Sequence, residues 1–190
     1  MMTIMASAQT SGGEITRKPK VGNNREQSSS PNKNIRINRF INGISLGNST
    51  KQDVIKLLNS NGREYEISEH EITGNFDKIT MIYSNGYIHY YGVTWDALAY
   101  KLFKNTVYQV SFIKRGDNNN ESSNVLYFVK LRDYFLDIYG NYHQSSPEGV
   151  FFSDKVTSLF IHGGDSPKRK ALFLDYCDYK VFNLLLSKMK

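Results

Sequence analysis

The chain has 190 residues, 39% apolar and 22% charged, with 24 Lys and Arg against 18 Asp and Glu for a formal charge of +6. That length suits one domain carrying a tail, and no apolar run reaches the roughly 20 residues that a membrane-crossing helix needs. The single Cys177 excludes an intramolecular disulfide framework, while 13 Tyr and 11 Phe favour strands, whose pleated surfaces accommodate flat rings.

Residues 1–8 close on Ala6-Ser7-Ala8, the small-x-small pattern that signal peptidase accepts. A partial signal peptide cleaved before Gln9 is therefore expected, although its apolar stretch is short and no Lys or Arg precedes it. Residues 9–34 are rich in Ser, Asn and Gly and carry Arg17, Lys18, Lys20, Arg25 and Lys33 against Glu14 and Glu26. Such a composition buries too little apolar surface to fold, so it reads as a disordered basic linker. Half of the net charge sits there. The folded part, 35–190, keeps a modest excess, and no nucleic-acid-binding motif accompanies it.

The domain opens with an alternating stretch, 35–46, that reads as one strand. A helix follows: Ser49 or Thr50 can cap it, Gln52 or Asp53 can answer the cap, and Val54, Ile55, Leu57 and Leu58 form its apolar stripe before Gly62 stops it. Five strands are then expected at 64–68, 78–84, 86–92, 95–103 and 106–114. Asn85-Gly86 is the strongest hairpin signal, because a type I′ turn needs positive φ at both central residues, and Lys104-Asn105 is a weaker second. A longer helix is expected over 121–139, with Val125, Phe128, Val129, Phe135, Leu136 and Tyr139 on one face and Lys130, Asp133 and Asp137 opposite. Arg132 falls within the apolar stripe, its stem lying along the core. Stop residue Gly140, a polar loop at 141–149, strands at 155–162 and 170–176 around a Gly163-Gly164-Asp165 turn, and a short helix at 181–189 complete the chain. Short connections force antiparallel neighbours. The expected fold is α+β: an antiparallel meander sheet with two main helices on one face, arranged as two unequal helix-plus-sheet units.

Few residues suggest catalysis. Gly43-Ile44-Ser45-Leu46-Gly47 fits the G-x-S-x-G pattern of hydrolase nucleophiles, but the helix begins too late and no parallel sheet is indicated. His70, His89, His143 and His162 lack metal-ligand spacing. Asp117, Asn119 and Glu121 imitate the start of a calcium loop, yet Ser122 replaces its Gly and Phe128 its terminal Glu. Cys177 has no neighbouring base and reads as a small buried thiol. Neither a phosphate cradle nor paired catalytic carboxylates stand out, so an enzyme is not expected, nor a cofactor or metal.

Phe40-x-x-Gly43-Ile44-x-Leu46-Gly47-x-Ser49, followed by Val54-x-x-Leu57-Leu58 and Gly62, is similar to the opening of the BamE/SmpA-like group. The run from Tyr91-Gly92 through Trp95-Asp96 to Val110-x-Phe112, with Tyr139-Gly140 and Leu174-x-Tyr176-x-Asp178 later, resembles small exported Gram-negative proteins related to it. The β-lactamase inhibitor protein shares the helix-on-antiparallel-sheet plan in duplicate. The resemblance implies a protein of the periplasm or cell exterior that binds another envelope protein without catalysis. The chain carries no Cys near residue 9 for lipid attachment, so no lipid anchor is expected.

The functional expectation is thus a non-enzymatic binding module acting through an open sheet face or edge, with Tyr91, Trp95 and Tyr108 as candidate partner contacts, since aromatics dominate interfaces. The alternative is a small-molecule or glycan-binding module, marked by a concave site lined by several Tyr with convergent Asn or Asp. A hydrolase using Ser45 ranks third and requires a His within hydrogen-bond reach.

Overall fold

A computed structural model describes residues 35–72, 77–116, 121–146, 149–163 and 171–188. The expected signal, the linker, Asp117 and Asn119 of the calcium-like stretch, and Gly164-Asp165 lie outside these ranges.

The opening stretch is a small hairpin. Strands β1 (Phe40–Ile41) and β2 (Ile44–Ser45) pair antiparallel around Asn42-Gly43, whose φ angles of 48° and 86° make the turn. One continuous strand would expose Ile41 or Ile44; folding back buries both completely or nearly so. Helix α1 (Lys51–Ser60) begins with the expected capping box, in which Thr50 and Asp53 satisfy each other's backbone N–H groups. It ends where Gly62 takes φ 62° and the Arg63 N–H reaches back 2.9 Å to the Leu58 carbonyl.

Strands β3 (Glu66–Glu71), β4 (Lys78–Tyr90), β5 (Val93–Phe103) and β6 (Thr106–Lys114) form a meander. Its turns correct the sequence reading. Asn85-Gly86 is not a hairpin but a bulge inside the 13-residue β4, where pairing with β5 slips between Asn85 and Ile88. Tyr91-Gly92 turns the chain instead, with φ 50° and 69°, as Lys104-Asn105 does with 49° and 63°. Both pairs supply the two positive φ values that a tight hairpin demands, and the packing of Tyr90 and Tyr91 into the core holds the first in place.

Helix α2 (Glu121–Tyr139) has the bounds the sequence indicated, with Phe128, Leu131, Phe135 and Tyr139 buried and Lys130, Asp133 and Asp137 exposed. Arg132 is half-buried and pairs with Asp133 at 2.8 Å. The polar stretch after it is not a plain loop: β7 (His143–Ser146) pairs with β8 (Gly149–Ser153). Strands β9 (Thr157–Gly163) and β10 (Leu172–Asp178) and helix α3 (Tyr179–Lys188) finish the described chain.

All eight long strands share one antiparallel sheet in the order β3-β4-β5-β6-β10-β9-β8-β7. Each half is a helix followed by four strands, α1 with β3–β6 and α2 with β7–β10, and the last strands of the two halves pair at the centre. Alternation along the strands separates the two faces. Ile82, Tyr100, Val110, Phe112, Leu174 and Ile161 join Val54 and Leu58 of α1 and Phe135 of α2 in the main core. Phe103, next to Leu102 and opposite Ile79, faces the other way and meets Tyr108 and Leu185 of α3 in a second, smaller core. The third helix therefore lies against the face that the sequence left open.

Candidate functional site

Three local features converge on the side of the sheet beneath the β1–β2 turn. Asn42, at positive φ in the turn, brings its amide near Tyr100 of β5, and Gly43 fits closely against Leu57, where an added Cβ would lie 3.1 Å from Cδ1. The end of α1 delivers Arg63 and Tyr65, and the bulge in β4 lifts Asn85, Gly86 and Tyr87 away from regular pairing. Between them opens a cleft of about 730 Å³ whose polar lining includes Asn42, Asn61, Arg63, Tyr65, Tyr83 and Tyr100. Leu57, Leu58, Ile88 and Leu98 supply its apolar part. Tyr87 stands at its edge with 77% of its surface exposed.

Two arginines hold the bulge from different sides. Arg63 donates from Nη2 to the Gly86 carbonyl, and Gly86 sits at φ 124°, a conformation that a side chain strains. Arg115 donates to the Tyr83 hydroxyl at 2.6 Å and to the side-chain Oδ1 of Asn85. A second concavity, lined by Asp96, Lys114 and Arg115, shares Asn85, Gly86 and Tyr87 with the first.

The cleft contains polar atoms left without partners. The Tyr100 hydroxyl and Arg63 Nε are buried with no hydrogen bond among the described residues, although most buried polar groups in proteins are paired. Burial pushes the Tyr100 phenol up to about 12, while the Asn42 amide and the Arg63 charge nearby pull the other way. The Asn42 amide favours the ionised form without bonding the neutral hydroxyl. Among the described residues no carboxylate forms an ion pair with Arg63. Leaving a buried donor unmade costs about 1–3 kcal/mol.

The expected aromatic contacts lie elsewhere. Trp95 is fully buried, its Nε1 donating to the Tyr90 carbonyl at 3.0 Å, and Tyr108 is 4% exposed in the smaller core. Tyr91 is half-buried at a turn, packed edge-on against Tyr90 and Phe135. None of the three lines the cleft. Ser45 lies in a two-residue strand, and the side-chain partner of its hydroxyl is Asn48 at 3.4 Å. The described histidines are separately engaged: His70 with Ser68, His89 with Thr94, His162 with Asp175, and His143 beside the Phe152 ring. Cys177 is buried, which raises its thiol well above the ordinary range.

On the smaller core's side of the sheet, Phe160, His162 and Phe173 stand in a stack with ring centroids 4.5 and 4.8 Å apart, and Phe151 meets Phe160 edge-on. Each ring is only half-buried. No family model, curated protein or solved structure matches the chain.

Sequence reading missed the cleft because its residues are harmless individually. The available signals were three Asn-Gly pairs, of which the one at 42–43 makes the turn, the one at 61–62 ends α1 before Arg63 and the one at 85–86 bulges.

Proposed function

We propose that this chain is an exported, non-enzymatic binding module that takes a small polar ligand of saccharide type in the cleft between Asn42, Arg63 and Tyr100. The observation that carries this reading is the pair of buried, unpartnered polar atoms, Tyr100 Oη and Arg63 Nε, packed under a concave lining of tyrosines and asparagines. Saccharides present hydroxyls that both donate and accept around weakly apolar ring faces. Tyrosine rings and carboxamides offer the matching combination of flat surface and hydrogen-bonding capacity. A ligand oxygen that draws Arg63 or Tyr100 into a hydrogen bond recovers an interaction that the free protein lacks. The engaged histidines and the strand position of Ser45 supply no activated nucleophile, which supports binding over hydrolysis.

The test is a melting-temperature screen of the full chain against a saccharide panel, followed by affinity measurement on Tyr100→Phe. At least one saccharide is expected to raise the melting temperature, and removing the hydroxyl is expected to weaken it about three- to tenfold. A flat response across the panel overturns the reading.

One observation favours a second reading, a protein partner on the half-buried stack of Phe160, His162 and Phe173. A partner recovered from envelope extract, and lost on Phe173→Asp without a saccharide response, would put that surface in place of the cleft. Both readings share the expected address outside the cytoplasm.

A further inference from the structure

We propose that the ligand of this cleft carries a carboxylate and that Arg63 is its receptor, an assignment that rests on the saccharide reading above. Arg63 has one described hydrogen bond, from Nη2 to the Gly86 carbonyl, leaving Nη1 and Nε without partners. Its side chain is half-exposed, so part of the guanidinium edge reaches the cleft while Nε stays covered. Nη1 lies on the edge away from Nε, so it is Nη1 that offers a carboxylate oxygen a charge-assisted bond, stronger than the one a neutral hydroxyl accepts or makes there.

The acidic residues nearby do not satisfy it. Glu64 and Glu66 border the cleft and are both exposed. Glu66 lies opposite Tyr83 in the β3–β4 register, whereas Tyr65 packs against the main core. Neither carboxylate forms an ion pair with Arg63 among the described residues. The remaining charges around the bulge favour an anion. Lys114 and Arg115 line the adjoining concavity across Asn85, Gly86 and Tyr87, against one carboxylate, Asp96. Asp96 is already engaged by the Arg115 backbone N–H at 2.7 Å. An entering carboxylate thus meets a guanidinium that has no carboxylate partner among the described residues, with two further cations lining the adjoining concavity.

The Tyr100 hydroxyl adds discrimination. Both residues line the cleft, and the Arg63 charge acts on the phenol. A carboxylate oxygen accepts from both, whereas a neutral ester carbonyl forms weaker bonds to the same donors.

Oligogalacturonate and its fully methyl-esterified form share rings and hydroxyls and differ only at the carboxylate. Titrating each into the full chain by calorimetry, we expect the acid to bind at least about tenfold more tightly. Added salt should weaken the acid and leave the ester unchanged. Arg63→Gln should weaken the acid at least about tenfold more than it weakens the ester, bringing the two affinities together. Equal binding of acid and ester by the unmodified protein overturns the anion assignment and leaves the saccharide reading standing. A flat response to these and to the whole neutral panel overturns both. Because the acid-to-ester ratio is measured on the native chain, the test does not depend on the folding of the variant.

Discussion

Tyr100 shows how the burial of one side chain ties the stability of this protein to pH. It is wholly buried, and removal from water disfavours its phenolate, which carries the pKa up to about 12 from the ordinary 10.0. Tyr90, Tyr108 and Tyr176 are shifted in the same direction for the same cause. For a group whose pKa is raised by folding, the stabilising contribution is whole below the unfolded value and disappears as pH climbs through the folded one. Folding stability should therefore be insensitive to Tyr100 up to about pH 10 and fall above it, by about 3 kcal/mol for this residue once pH passes 12. Urea unfolding at about pH 9 and about pH 11 checks this. In Tyr100→Phe the decline between them should be shallower, and an unchanged slope would show that the phenol is not held neutral by burial.

At the scale of elements, the β4 bulge matters most. A bulge adds a residue to one strand, bends it and changes where its side chains point. Here it turns Gly86 to φ 124° and presents its carbonyl to Arg63. An added Cβ would lie 2.9 Å from Arg63 Nη2. That contact is with the mobile end of a side chain, so the backbone strain dominates the cost. Gly86→Ala should destabilise the fold by about 1–2 kcal/mol in thermal unfolding. It should also push Arg63 from its place, lowering saccharide affinity more than a remote substitution of equal stability cost. Saccharide affinity that survives Gly86→Ala would separate the bulge from the site.

For the whole molecule, two four-stranded halves meet at the β6–β10 pair, and the entering chain is fastened to the second half by Arg39. Its guanidinium donates to the carbonyls of Val156 and Leu46, to Thr157 Oγ1, and to Asp178 Oδ2 at 2.6 Å. Asp154 helps from beside it, accepting the backbone N–H of Ile37, Val156 and Thr157. The Arg39–Asp178 pair is sheltered, with side-chain exposures of 30% and 13%. Arg39→Ala should lower stability by about 2–3 kcal/mol, since it strands a charged acceptor along with several carbonyls. Equilibrium denaturation would register this as an earlier midpoint; a shift under about 0.5 kcal/mol would place Arg39 among ordinary surface residues.

Local signals in the sequence determined the helices and the class of fold. The Thr50–Asp53 capping box, the Gly62 stop and the 3.6-residue stripe of α2 act within a few residues of themselves, so α1 and α2 were legible without tertiary context. Short connections likewise made the sheet antiparallel. Turn identity was only half local: of three Asn-Gly pairs, the one at 42–43 turns, the one at 61–62 ends α1 and the one at 85–86 bulges, because core packing of the neighbouring residues selects among them. The pairing of β6 with β10, the side taken by α3 and the burial of Trp95 and Tyr108 depend on contacts between distant segments. The cleft depends on them too. Asn42, Arg63, Gly86 and Tyr100 come from a turn, a helix end, a bulge and a strand, and only the folded sheet leaves a tyrosine hydroxyl and an arginine nitrogen of one cleft buried without partners.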